Sequence, residues 1–198
     1  MRLAALKLMV FIGLLSCKSN SENKETLRRI ENLYKSIREN RVVLQPHDID
    51  MVFRDIVKKY QAEYPDGNIS LNLQAPSTVL LDRELFIDAI MNLMSNAQES
   101  IALKGIPDGR VAINIYNVRA YCVIEIKDNG LGIQESDELQ IFEPFYSSKN
   151  SKTNWGMGLY FVKSIIEQHY GDINVHPQID SGATFIINIP LYQKGGSV

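Results

Sequence analysis

Apolar residues recur along this chain with two different periods. Leu3, Leu6, Val10, Leu14 and Cys17 are spaced by three and four residues, which lines one face of a helix. Residues 19–23 (SNSEN) read as a turn, and Leu27, Ile30, Tyr34 and Ile37 resume at coiled-coil spacing on a second helix. After residue 40 helical and alternating segments mix. Arg41–Gln45 reads as a short strand and Ile49–Tyr64 as a helix with Met51, Phe53, Ile56 and Tyr60 among its apolar residues. Asn68–Leu73 and Thr78–Leu81 are short strand candidates. Arg83–Leu103 is a long helix whose core stripe is Phe86, Ile90, Leu93, Ala97 and Ile101. Val111–Val118 and Tyr121–Lys127 alternate and are joined by a two-residue turn at Arg119 and Ala120. A further helix runs from about Gly158 to Tyr170 and stops at Gly171, a residue type favoured just past a helix end. Asp172–His176 and Ala183–Leu191 close the chain as strands, with no internal repeat. Helices with mostly antiparallel strands predict a two-layer α/β sandwich, preceded by an α-helical hairpin.

Composition narrows the partners. At roughly 150 residues per domain, 198 residues are about one and a third domains. With 45% hydrophobic and 22% charged residues the chain is of ordinary globular type. Its net charge of −2 excludes a broad electrostatic grip on nucleic acid. That charge is uneven. Residues 1–40 hold eight Lys/Arg against four Asp/Glu, a net of +4, and residues 41–198 hold thirteen against nineteen, a net of −6. Cys17 and Cys122 are too few for a disulfide scaffold or a zinc site and suit a reducing compartment. The first 17 residues also combine a basic start, a short apolar run and Leu14-Leu15-Ser16-Cys17, the features of a secretory or lipoprotein signal. The run is shorter than the roughly 20 residues a membrane-spanning helix needs. Within this segment alone, signal and amphipathic helix are both open.

Three polar segments carry chemistry. Asp88, Asn92 and Asn96 fall four apart on the long helix, so the two amides one turn apart converge, and amide oxygens suit Mg²⁺. A solvated helix face is the plainer alternative. Residues 128–133 (DNGLGI) follow an apolar strand. Asp128 there is either part of a tight turn or a carboxylate that accepts an adenine amino group, with the glycines letting backbone approach a flat ring. Residues 154–159 (NWGMGL) open a helix, and a glycine-rich loop at a helix start offers N–H groups and the positive dipole end to phosphate. Between them, Phe142 and Phe145 read as core. The ten residues from Tyr146 to Trp155 are polar, contain Lys149 and Lys152, and have the character of a lid.

Taken in order, MNLMSNAQES (91–100), DNGLGI (128–133), FEPFYSSK (142–149), GMGLYFVKSIIEQHYG (156–171) and SGATFIINIPL (181–191) resemble the catalytic ATP-binding domain of bacterial sensor histidine kinases. They match that family's N, G1, F and G2 boxes at the usual spacing over residues 41–191, about three quarters of the chain. The resemblance implies the Bergerat-type ATP-binding sandwich shared with gyrase and mismatch-repair ATPases. It implies Asn96 as magnesium ligand with Asn92 supporting the metal and phosphate side, and Asp128 on the adenine amino group. Gly130, Gly132 and Ile133 would line the base pocket. Gly156, Gly158 and Leu159 would lie along the nucleotide from the lid side, Lys149 would contact phosphate, and Thr184 would reach the base. Many members carry a lysine or arginine three residues after the position of Asn96, where this chain has Glu99. Gyrase-like relatives carry a glutamate at the position of Asn92, and asparagine is a poor general base, which favours phosphotransfer over hydrolysis.

On the same resemblance, residues 1–40 are a partial dimerisation hairpin, 41–192 the catalytic domain and 193–198 a tail. The phosphoacceptor histidine is absent, since His47, His169 and His176 all lie outside the first helix and outside any His-Glu-x-x-Asn/Thr-Pro context. The chain is then expected to be the C-terminal part of a longer kinase, cytoplasmic rather than exported. ATP and Mg²⁺ are the expected cofactors. A second copy and a response-regulator receiver domain are the expected partners, with no nucleic acid, and with membrane contact only through upstream parts of the parent. The alternatives are a stand-alone serine kinase of the anti-sigma-factor type, which has no use for a hairpin, and a non-catalytic nucleotide-sensing module.

Overall fold

The computed structural model describes residues 42–146, 156–178 and 181–193. By contacts the chain divides into Met1–Arg41 and Val42–Val198, so the expected hairpin lies outside the described residues. The second unit runs β1 (Gln45–Asp48), α1 (Ile49–Glu63), β2 (Asn68–Leu73), β3 (Thr78–Leu81), α2 (Arg83–Lys104), β4 (Arg110–Val118), β5 (Tyr121–Asp128), α3 (Gly158–Gln168), β6 (Asp172–Gln178) and β7 (Gly182–Pro190). A single 3₁₀ turn at Glu135–Asp137 follows β5.

Alternation gives the main sheet one buried face. Its order is β2-β4-β5-β7-β6, with β2 parallel to β4 and every other neighbour antiparallel. The parallel pair requires a crossover, supplied by β3 and α2. Ile113 and Ile115 of β4 stand opposite Ile126 and Ile124 of β5, which stand opposite Phe185 and Ile187 of β7, and all six are buried. Over that face α2 lies on β4 and β5, α3 on β6 and α1 on β2. The helices contribute buried stripes: Phe53, Ile56 and Tyr60 from α1, joined by Val52 while Met51 faces outward, and Phe86, Ile90, Leu93, Ala97 and Ile101 from α2. Phe53 and Phe86 meet edge to face at 6.3 Å. Burying each such ring is worth about 1.5–3 kcal/mol, so this contact anchors α1 to α2. The other sheet face is polar, with Tyr116 donating to Glu125 Oε1 at 2.7 Å and Asn72 to Asn114 Oδ1 at 3.3 Å. This is the expected two-layer α/β sandwich.

Several element boundaries differ from expectation, and the first strand and the close of α3 show why. The first strand is Gln45–Asp48 rather than Arg41–Gln45, because it pairs with β3 from Gln45 opposite Leu81 to Asp48 opposite Thr78. Asp48 then ends the strand by capping α1, its carboxylate accepting from Asp50 N–H at 2.9 Å. At the other end of the fold, α3 closes with Tyr170, not Gly171, in the left-handed region at φ 59°. Tyr170 N–H donates to Glu167 O at 3.1 Å and Gly171 N–H to Ile166 O at 3.0 Å, the paired bonds of a Schellman close. Gly171 serves space instead: a Cβ there would lie 2.5 Å from Ile189 Cδ1.

Asp82 ties three segments together. Its carboxylate accepts from Leu85 N–H at 3.3 Å, capping α2, and from Val43 N–H at 3.1 Å. Its own N–H donates to His169 Nε2 at 3.0 Å. That bond leaves Nδ1 of His169 to carry the ring proton, which it donates to Ile165 O at 2.7 Å. His169 is 1% exposed and packs against Phe86 at 5.8 Å, so it is a buried joint between the start of α2 and the end of α3.

Candidate nucleotide-binding site

The expected site residues come from four places, and α2 is the element that joins them. Its apolar stripe faces the sheet, which turns the opposite row outward. Asn92 is exposed and Asn96 half-buried, and Asn96 Nδ2 donates to Asn92 Oδ1 at 3.2 Å. Asp88, one turn earlier, turns instead to Lys59 of α1 at 3.6 Å.

The start of α3 abuts this pair. A Cβ on Gly158 would lie 2.7 Å from Asn92 Oδ1, so the glycine lets the helix start reach the asparagine. The helices α1 and α2 begin with aspartate caps, whereas α3 begins at Met157 with no side-chain cap and no acid in its first turn. Its N-terminal N–H groups and positive dipole end are thus arranged for an anion beside two amide oxygens. Gly156 has φ +65°, and a Cβ there would lie 2.7 Å from the Phe145 carbonyl carbon. Phe145 N–H donates to Gly156 O at 3.0 Å, so the two ends of the expected lid are bonded together. Lys149 and the lid itself lie outside the described residues. Of the two aromatics read as core, Phe142 is buried against Phe185, ring centres 6.4 Å apart, and Phe145 is half-buried.

Asp128 is the last residue of β5 and only 4% exposed. Burial pushes its carboxyl up from the ordinary range, while N–H groups of Gly130 and Ala183 and the charge of Lys104 pull it back. The Gly130 N–H bond is 2.8 Å. A carboxylate offers about four lone-pair sites, so the backbone donors of Gly130, Ala183 and Asp128 itself leave acceptor capacity for an amino group. The loop after it is fastened to α2. Lys104 Nζ donates to the carbonyls of Asn129 and Gly130, each at 3.0 Å, and Leu131 N–H donates to Ser100 Oγ at 3.0 Å. Asn129 bonds Arg110 N–H at 2.8 Å and Asp108 O at 2.9 Å.

Here the glycines do something other than expected. A Cβ on Gly130 would lie 2.8 Å from the Ser100 carbonyl carbon, so this glycine lets the loop lie on α2 rather than on a flat ring. Gly132 has φ +83° and supplies the bend. Ile133 and Leu159 are half-buried against the core.

Thr184 is not where it was expected. Lys127 of β5 stands opposite Thr184, so Thr184 shares the face that Lys127 exposes, away from the helices. The neighbouring Ala183 is the residue on the buried face beside Asp128, and it supplies the N–H bond. Strand side chains alternate, so a position read one residue along falls on the other face. Sequence reading also passed over Gly182, whose φ is +92° and where a Cβ would lie 2.6 Å from the Asp128 carbonyl carbon. It passed over Ser100 and Lys104 as well. Their signal was present: Asn92, Asn96, Ser100 and Lys104 form one row of the helix at steps of four.

Among the described residues no group of three or more His, Cys, Asp or Glu is placed to hold a metal. The Asn92–Asn96 pair offers amide oxygens, a donor type that fits Mg²⁺ carrying waters and phosphate oxygens as its other ligands.

Comparison with known proteins gives a consistent picture. A family model described as histidine kinase-, DNA gyrase B-, and HSP90-like ATPase matches residues 81–193. The chain is 29% identical over 186 residues to Sensor histidine kinase YclK of Bacillus subtilis (strain 168), covering 88% of this chain and 38% of that protein. It is 33% identical over 141 residues to Sensor protein RprX of Bacteroides fragilis (strain YCH46), covering 68% of this chain and 26% of that protein. It thus spans well under half the length of these relatives. Among solved structures, the mycobacterial sensor histidine kinase MprB aligns with a TM-score of 0.66 at 25% identity, covering 75% of this chain and 98% of that chain.

Proposed function

The chain belongs to the histidine kinase-, DNA gyrase B-, and HSP90-like ATPase family, and on that footing we propose that it binds Mg²⁺–ATP and donates the γ-phosphoryl group to a histidine. The observation that carries the reading is the gathering, along one row of α2, of a buried carboxylate's loop at one end and an uncapped helix start at the other. Asp128 accepts the adenine amino group; a guanine carbonyl at the same place would be repelled. Gly130 seats the loop after it on α2, Gly132 bends that loop, and Ile133 lines the base pocket. Gly156, Gly158 and Leu159 bring the start of α3 to the phosphates, and Lys149 adds charge from the lid. Thr184, facing away, has no part in the base contact.

Asn96, supported by Asn92, would hold Mg²⁺. Bound there, the ion would offset charge on the phosphate oxygens. The chain's own part is positioning and charge stabilisation. A neutral imidazole nitrogen bonds to the γ-phosphorus as the bond to the β–γ bridging oxygen breaks, and ADP leaves. Asn92 is a poor base for water, so hydrolysis competes weakly.

The acceptor is not one of the chain's three histidines. His169 has both ring nitrogens committed, and His47 and His176 lie in β1 and β6. The similar relatives carry the names of sensor histidine kinases, which supports histidine over serine as the acceptor. Residues 1–40 are then the dimerisation hairpin, the phosphoryl group passes on to a response-regulator aspartate, and the domain works in the cytoplasm. No helix of the described residues is long and apolar enough to cross a membrane.

Calorimetric titration with ATP tests this directly. Asp128→Asn should weaken binding roughly tenfold or more, the scale of one lost charged contact. Asn96→Ala should abolish the gain from added Mg²⁺. With labelled ATP the chain should take up no acid-labile label unless extended upstream; label on the unextended chain would overturn the assignment of the acceptor.

A further inference from the structure

We propose that Lys104 is the positioning residue of the base pocket, holding the loop after Asp128 so that its carboxylate is fixed both in place and in charge for the nucleobase. The inference rests on the reading of Asp128 as the base-binding carboxylate. Lys104 sits in the last turn of α2, half-buried, and Gly105 at φ 69° turns the backbone away behind it. Its ammonium donates to two successive carbonyls, Asn129 O and Gly130 O, each at 3.0 Å. These are the first two residues after Asp128, and Gly130 returns its own N–H to the Asp128 carboxylate at 2.8 Å. Lysine, loop and carboxylate therefore form one chain of bonds.

Two further contacts make the clamp directional. Ser100, one turn before Lys104, accepts from Leu131 N–H at 3.0 Å, so the loop is held from α2 at two points. Gly130 lies so close to Ser100 that no side chain fits between them, so the loop rests directly on α2 beside the lysine.

A cation is required here as well as a donor. The strands flanking Asp128 present Val111 and Ala183, neither of them titratable, and the loop presents backbone. From α2 the facing charge is Lys104, and it opposes the rise that burial imposes on the carboxyl. A protonated Asp128 would keep only a neutral acceptor oxygen and would lose the charge-assisted bond to the adenine amino group. Lys104 thus guards the acidic limit of nucleotide binding.

The test uses the full chain, titrated calorimetrically with ATP and GTP between pH 5 and 8, for wild type, Lys104→Met, Lys104→Arg and Asp128→Asn. Lys104→Met should lose roughly tenfold in ATP affinity near pH 7, and more at pH 5.5, because its binding should fade at a higher pH than the wild type's. Its preference for ATP over GTP should shrink, and Lys104→Arg should recover most of both effects. A merely structural lysine would lower stability in urea without moving the pH profile or the ATP/GTP ratio, and that result would overturn the proposal. The two ideas fail separately. Asp128→Asn binding ATP like wild type sinks the base-pocket reading itself; Asp128→Asn weakened while Lys104→Met matches wild type at every pH sinks only the clamp.

Discussion

One added carbon should have opposite consequences at Gly158 and Gly182. At Gly158 the obstacle is the end of an exposed side chain, Asn92 Oδ1 at 2.7 Å, which can swing away. Gly158→Ala should therefore weaken Mg²⁺–ATP binding in titration while leaving the urea midpoint nearly unchanged. At Gly182 the obstacle is the backbone of Asp128 and Asn129, and φ is +92°. Gly182→Ala should cost on the order of 3 kcal/mol in urea unfolding, since strain and clash act together. Asn96 and Asp128 could be picked out in the sequence because a motif points to the chemistry proposed for each. Residues whose task is to hold others were less legible. Ser100 and Lys104 look like ordinary helix surface until the loop that folds back on them is known, and the N–H that Ala183 lends to Asp128 has no signature in a side chain.

At the scale of elements, residue pattern located the three described α-helices and the strands of the main sheet, and the boundaries moved where pairing or capping overruled composition. The first strand slid to Gln45–Asp48 because β3 and the Asp48 cap fix its register. At the end of α3 the glycine suggested a left-handed residue, yet packing against Ile189 claims the glycine and Tyr170 takes the strained position. The joint at His169 was invisible, because its partner is 87 residues away in sequence. His169→Ala should cost about 2–4 kcal/mol in chemical denaturation, combining a cavity with an unsatisfied Asp82 N–H. The α1–α2 contact carries a pH signature. Burial pushes the Tyr60 hydroxyl to about 12, and it donates to Gln98 Oε1 at 2.8 Å. The folded state then holds this proton more tightly than the unfolded chain, so stability is full below the ordinary tyrosine range and lost as pH rises through about 12. Thermal melts between pH 9 and 12 should fall more gently for Tyr60→Phe than for wild type.

For the whole molecule, Cys122 is a natural reporter of unfolding. It is buried in β5, and burial pushes its thiol up to about 11. In a Cys17→Ser background, a thiol reagent should modify the chain only as fast as it unfolds globally, and labelling at the free-thiol rate in native buffer would contradict that burial. The start of α3 bears on stability in a different sense. A helix that starts without a side-chain cap offers its first N–H groups to a ligand, which then adds bonds that the cap would have made. Folding and nucleotide concentration are therefore linked: melting temperature should climb with the logarithm of free ATP once the site is saturated. Amide exchange should be fastest, among the starts of the three described α-helices, at residues 158 and 159, and should slow most there when nucleotide is added.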